Sequence, residues 1–279
     1  MRLSGCSSWR PTYASTAPRL ASGAQLILAG LGSLFVCKPF DGTPTVAAAS
    51  LSPSMIPTGT AALFCVLLAT VVCADNNTVT DEVEFKVKVE GADGRGEWTG
   101  KFAVGVFGDV LPMTAYNFVS LAKGFKHLDQ TWTYNGSLVH RVVPDFLVQM
   151  GDVLYHDGRG GRSVYAPYFI DEAFTHSHRA AGMVAMANTG QDTNGSQFYV
   201  TLGRARWLDN KNVVFGKVLR GMDVISKLGD LKVDAYGRPL DKVVILDVIA
   251  TAMSEPFDLT DEELDRDGDA KPGPVSPSA

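Results

Sequence analysis

Beyond residue 74 the sequence contains no cysteine: Cys6, Cys37, Cys65 and Cys73, the four present in 279 residues, all precede it. Whatever folds downstream therefore uses neither disulfides nor thiolate chemistry, which excludes Cys-ligated zinc and a Cys nucleophile. Acids are scarce in the leading stretch, where Asp41 stands alone against Arg2, Arg10, Arg19 and Lys38, whereas the remainder is acidic and the formal net charge is −5. No basic stripe points to nucleic acid. No G-x-S-x-G elbow surrounds Ser196, which argues against a Ser hydrolase. There is no internal repeat. The 46% hydrophobic content is enough for a real core in one or two domains.

The apolar run AALFCVLLATVVCA, Ala61 to Ala74, is short for a membrane span but has signal-peptide length, and it ends in Val72-Cys73-Ala74, a small-residue pattern that a signal peptidase would cut before Asp75. Residues 55–74, beginning at Met55, read as a signal peptide, so residues 1–54 read as an over-extended gene model or an extra targeting segment. The expected destination is the secretory pathway. Two alternatives stay open. The Arg- and Ser-containing start resembles an organelle transit peptide, and a second apolar run, Leu26 to Val36, leaves an uncleaved anchor.

From Asp81 the pattern is one of short strands. EVEFKVKVE, Glu82 to Glu90, alternates with period two, and GKFAVGVFG repeats the idea after a Gly-rich loop. In LPMTAYNFVSLAKG the spacing turns helical: Pro112 suits the first turn, Ala115, Phe118, Val119 and Ala122 share a face, and Gly124 ends it. GMDVISKLG is a second helix and KVVILDVIATA a last strand. Many short strands with two helices predict a mainly β fold, a closed antiparallel barrel capped at its ends, because closure removes sheet edges.

After Met253 eight acids face Arg266 and Lys271, and the end is rich in Pro, Gly and Ser. Residues 254–279 are expected to form a solvated acidic tail that follows the domain at 75–253. Asp265, Asp267 and Asp269 do not make an EF-hand, since Ala270 and Ser276 occupy the positions that need Gly and Glu. His176 and His178 form an H-x-H pair with no clear third ligand and are expected to be exposed loop histidines rather than a metal site.

One stretch poses a question. HRVVPDFLVQMGD, residues 140–152, sets Arg141, which never loses its charge, among Val142, Phe146 and Leu147. Either Arg141 is a surface residue on a half-buried strand, or the charge serves an apolar site that stays partly wet.

Taken with DGRGGRSVYAPYFIDEAF, GMVAMANTGQDTNGSQFYVTL and WLDNKNVVFGKVLRGMDVI, that stretch resembles, in order and over about residues 81–252, the cyclophilin family of peptidyl-prolyl cis-trans isomerases. The resemblance implies an eight-stranded closed barrel with two helices and an activity that needs no cofactor or metal. It implies that Arg141 is the catalytic arginine, that Phe146 and Leu147 form an apolar floor, and that Gln149 orients the arginine and bonds the substrate backbone. It further implies that Asn188, beside Ala187, reads an extended peptide, that Gln197 lines the groove, and that Tyr199, Trp207 and Leu208 surround a proline pocket. Thr189 and Gly158 match the rim of a neighbouring pocket. Trp207 occupies a position that contributes to cyclosporin binding, so the drug is expected to bind.

Three positions depart from the family pattern. Asn212 stands where a pocket histidine is usual, Tyr199 replaces Phe and adds a hydroxyl that needs a partner, and Met150 replaces a Gly. Two functions follow: a prolyl isomerase acting as a monomer on proline-containing peptides and unfolded clients, or a proline-peptide binding module or secreted ligand with incidental activity. Arg141, Phe146 and Gln149 favour the first; Asn212 favours the second.

Overall fold

The computed structural model describes residues 77–91 and 96–269. The expected signal peptide at 55–74, the segment 1–54 and the chain after Asp269 lie outside the described residues. Ten strands and three α-helices are present among them. The strands β1 (Thr78–Glu90), β2 (Glu97–Val106), β5 (Arg141–Val143), β6 (Leu147–Met150), β7 (Met183–Met186), β8 (Phe198–Thr201), β9 (Val214–Arg220) and β10 (Lys242–Asp258) make one antiparallel sheet. Its order is β10-β1-β2-β9-β7-β8-β6-β5. A separate small hairpin joins β3 (Phe125–His127) to β4 (Gln130–Trp132).

The expected closed barrel is not realised as a ring of ladders, because the order runs open from β10 to β5. The physical reason lies in the chain before β5, which meets β10 through only a single bridge, Leu138↔Val244. Around that bridge Val139 N–H donates to Val243 O (3.0 Å), Ile245 N–H to Ser137 O (2.9 Å) and Gly136 N–H to Ile245 O (2.8 Å). The outer edge of β5 is also covered, since Val142 N–H donates to Gly237 O at 2.7 Å.

Strand alternation divides the sheet into two faces. Inward residues of β1, β2, β6, β8 and β9 meet α1 (Pro112–Lys123) in an aromatic core where Phe85, Phe102, Phe118, Tyr134, Phe198 and Phe215 are all fully buried. Phe85 stacks on Phe102 with centroids 5.0 Å apart, while Phe118 meets Phe198 edge-on at 5.1 Å, both favoured aromatic geometries. The expected helical face, Ala115, Phe118, Val119 and Ala122, is the buried one. The first-turn amides of α1 are capped from a distance: Met113 and Thr114 N–H donate to the two Glu172 carboxylate oxygens at 2.8 Å each. Gly124 closes the helix at φ +87°, which a side chain would resist. The second predicted helix is α2 (Met222–Gly229).

The segment from 254, expected to be a solvated tail, packs instead as far as Asp269. β10 continues to Asp258, and α3 (Asp261–Asp265) follows with a Thr260–Glu263 capping box. Leu259 and Leu264 are buried there. The acids that suggested disorder have partners: the Arg179 fork reaches Asp261 and Asp265, both at 2.7 Å. Ala181 N–H donates to Asp267 (2.7 Å) and Met222 N–H to Asp269 (2.6 Å). Beneath them, fully buried Lys217 donates to Ala181 O (2.7 Å), Arg266 O (2.8 Å) and Leu264 O (3.4 Å).

Candidate functional site

The hairpin β5–β6 turns through Pro144 and Asp145. Proline fixes the first turn position, Asp145 takes a left-handed φ of 59°, and Phe146 N–H closes the turn on Val143 O at 3.0 Å. The register that follows pairs Arg141 with Gln149, Gln149 with Tyr199, and Tyr199 with Ala185. Four strands thus present one row on the face away from the aromatic core. This resolves the placement of Arg141: its apolar neighbour Val142 points inward and is buried, while Arg141 itself is exposed.

A chain of side-chain bonds runs from the guanidinium. Arg141 Nη1 donates to Gln149 Oε1 (3.2 Å), and Gln149 Nε2 donates to Gln197 Oε1 (2.9 Å). Gln197 Nε2 in turn donates to Gly158 O (3.0 Å) and Gly160 O. Each amide therefore has a fixed orientation, and the arginine is anchored through it to the loop at 158–160.

That loop is built on Asp152, a residue that sequence reasoning passed over although it ends the quoted HRVVPDFLVQMGD. Fully buried, its carboxylate accepts from Leu154 N–H (3.0 Å), Tyr155 N–H (3.1 Å), Gly158 N–H (2.9 Å) and Gly160 N–H (2.9 Å). Burial opposes the charge, but the amides of Gly160, Tyr155, Leu154 and Gly158 together outweigh it and hold the Asp152 pKa below its usual value. Gly158 is required there: at φ +93°, an added Cβ would lie 2.3 Å from the His140 ring. Ser196 serves the same loop, donating to Gly151 O at 2.6 Å.

Gln149, Gly158, Ala187, Asn188, Thr189 and Gln197 line one cleft of about 450 Å³. Beside it, Leu147 and Tyr199 are buried in an apolar cluster on the outer face, with Phe146, Ala187 and Leu208 packed against it. Trp207, 61% exposed, joins that surface through Phe146, their ring centroids 5.4 Å apart. Asn212 lines a second cleft that shares Asn188 with the first. Asn188 Nδ2 donates to Lys211 O (2.9 Å) and Asn212 Nδ2 to Met186 O (2.9 Å), so both amides brace the cleft walls. Met150 is accommodated without strain because strand alternation turns it into the aromatic core.

The histidine pair differs from expectation: His176 and His178 are buried, not exposed loop residues. His176 stacks on Phe107 with centroids 4.4 Å apart, and His178 is enclosed by Tyr199 and Asp209, partners remote in sequence. No group of three metal-ligating side chains occurs among the described residues.

An anchored guanidinium beside an apolar patch, flanked by a peptide-sized cleft, is suited to a ligand that joins a pyrrolidine ring to an extended backbone. The family model for cyclophilin type peptidyl-prolyl cis-trans isomerase matches residues 87–250. The rhodopsin-specific peptidyl-prolyl cis-trans isomerase of Calliphora vicina is 38% identical over 198 residues, covering 71% of this chain and 81% of the relative. Peptidyl-prolyl cis-trans isomerase B of Saccharomyces cerevisiae is 42% identical over 178 residues, covering 61% and 80%. A peptidyl-prolyl cis-trans isomerase of Encephalitozoon cuniculi is 46% identical over 132 residues, covering 47% and 74%. With the motifs, the sheet and these relatives in agreement, the chain belongs to the cyclophilin-type peptidyl-prolyl cis-trans isomerase family.

Proposed function

We propose that this protein is a peptidyl-prolyl cis-trans isomerase acting on proline-containing peptides and unfolded protein clients, with Arg141, Phe146 and Gln149 as its catalytic residues. The observation that carries the reading is the Arg141–Gln149–Gln197 chain beside the Phe146, Leu147 and Tyr199 surface in a member of this family. The barrier to X-Pro rotation lies in amide resonance, about 18–20 kcal/mol, which draws the nitrogen lone pair toward the carbonyl. A guanidinium N–H aimed at the prolyl nitrogen stabilises the twisted state, in which that lone pair is localised, more than the planar one. Leu147, Phe146, Tyr199 and Leu208 hold the ring, with Trp207 at their edge. Asn188 and Ala187 pair with the extended chain, Gln149 and Gln197 orient the arginine, and Gly158 and Thr189 border the next subsite. This is catalysis by differential binding, without nucleophile, metal or cofactor.

The same reading includes cyclosporin binding at Trp207, a monomeric state, and a sheet that behaves as a closed barrel through the 136–139 contacts with β10. It also includes a signal peptide at 55–74 and delivery to the secretory pathway. A second reading, a proline-peptide binding module, is favoured by Asn212, whose amide already donates to Met186 O and offers no imidazole to the pocket. The purified chain would be assayed for cis-to-trans isomerisation of a short X-Pro peptide, with and without cyclosporin. Catalysed exchange abolished by the drug supports the enzyme, whereas binding of the peptide without exchange supports the module.

A further inference from the structure

Tyr199, the wall of the proposed pocket, carries a hydroxyl that the family's usual Phe lacks, and the hydroxyl is engaged. It lies 2.8 Å from His178 Nε2, with the two rings 14° from parallel. On the other side, His178 Nδ1 lies 2.8 Å from Asp209 Oδ1, which also accepts from the His178 backbone N–H at 2.8 Å. Ala205 N–H donates to His178 O at 2.9 Å. Ala205 and Asp209 bracket the turn Arg206–Leu208 that carries Trp207 and Leu208. One fully buried residue therefore fastens both ends of that turn and reaches across to the opposite wall.

The partners assign the tautomer. A carboxylate only accepts, so Nδ1 carries the proton to Asp209, and Nε2 is left to accept from the Tyr199 hydroxyl. We propose that His178 is a positioning residue of the proline pocket, tying Tyr199 on β8 to the Trp207–Leu208 turn through Asp209, so that the two walls move as one. The inference rests on the isomerase reading of the site. Burial lowers the His178 pKa, with Asp209 opposing, and burial raises that of Tyr199. These two are the titratable partners facing His178; the neighbouring Arg179 turns its head toward Asp261 and Asp265. Once the ring is charged both of its nitrogens donate; Nε2–H then turns to the Tyr199 oxygen, which accepts as well as donates, so the tie persists with its direction reversed.

The test is a double-mutant cycle in the full chain: the parent, Tyr199→Phe, Asp209→Ala and the double variant, with kcat and KM measured for an X-Pro peptide. Among the described residues, the side-chain hydrogen bonds of Tyr199 and Asp209 meet at His178. Each single change is expected to raise KM about three- to tenfold, the fold-change of one net hydrogen bond, with kcat nearly held. The double variant is expected to be no worse than the poorer single, since either change breaks the same tie. Additive effects, or losses in kcat rather than KM, would overturn the proposal, and equal melting temperatures exclude misfolding as the cause. If the parent binds peptide without turnover, the isomerase reading fails, and the same cycle is scored on peptide Kd. A parent that neither binds nor turns over proline peptides overturns both.

Discussion

Replacing Arg141 with Ala separates the cost of a residue to the fold from its worth to the site. Arg141 is exposed, and its one side-chain bond, 3.2 Å to Gln149, lies on the outer face of the sheet. An exposed substitution of this kind is expected to change stability by no more than about 0.5 kcal/mol. The activity should respond differently, because a preorganised donor aimed at the atom whose electron density changes is worth about 2.7–4 kcal/mol, or roughly 10²–10³ in kcat. Arg141→Lys restores charge but not the planar fork that Gln149 orients, so it should recover little. Gln149→Ala leaves the guanidinium in place and untethers it, and should cost about three- to tenfold, the worth of one net hydrogen bond. The assay is the exchange of cis and trans X-Pro peptide followed by NMR, with melting temperature measured on the same samples. An Arg141→Ala protein within about threefold of the parent in kcat would refute the reasoning, as would a loss of activity that tracks a loss of stability.

Other expected outcomes follow from single positions. Gly158→Ala forces a side chain onto φ +93° and into the His140 ring; it should lower the melting temperature and weaken peptide binding together, checked by calorimetry and titration. Asp152 has a depressed pKa, so the stability it contributes is present above its unfolded pKa near 3.8 and is lost as pH falls through the folded value. Acid unfolding of Asp152→Asn should therefore begin from lower stability but slope less below that pH. Lys217 has its pKa lowered by burial to about 8 from 10.5, the carboxylates of Asp267 and Asp265 opposing. Because the unfolded chain binds the extra proton between those values, this group adds stability as pH rises through that interval. Denaturant melts of Lys217→Met should lack that increment, and a parent curve that falls as steeply as the variant's would contradict it. Asn212→His should raise kcat toward common substrates if the Asn212 bond to Met186 restrains the pocket, and an unchanged kcat would remove that explanation.

The sequence by itself determined whatever a local period can encode. Alternation in Glu82–Glu90 made β1, the spacing of Ala115, Phe118, Val119 and Ala122 set the buried face of α1, and Pro112 and Gly124 marked its ends. The ordered motifs singled out Gln149, Gly158, Ala187, Asn188, Thr189 and Gln197, which the fold gathers into one cleft, while the local pattern at Arg141–Val142 left two placements of the charge open. Only the tertiary structure decided which remote groups meet. Gln149 and Gln197 are 48 residues apart and His178 and Tyr199 are 21, and neither contact is encoded in a local pattern: β6 pairing with β8 sets the first, and the loop before β7 folding over β8 sets the second. The same reason accounts for the misread parts. His176 and His178 look polar in their own window, yet Phe107, Tyr199 and Asp209 arrive from elsewhere to bury them. The acids after Met253 read as a solvated tail because Arg179, which pairs with Asp261 and Asp265, and Lys217, which donates to the carbonyls of Leu264 and Arg266, lie far upstream. Composition measures what a segment can bury alone; the fold supplied the partners that let this one pack.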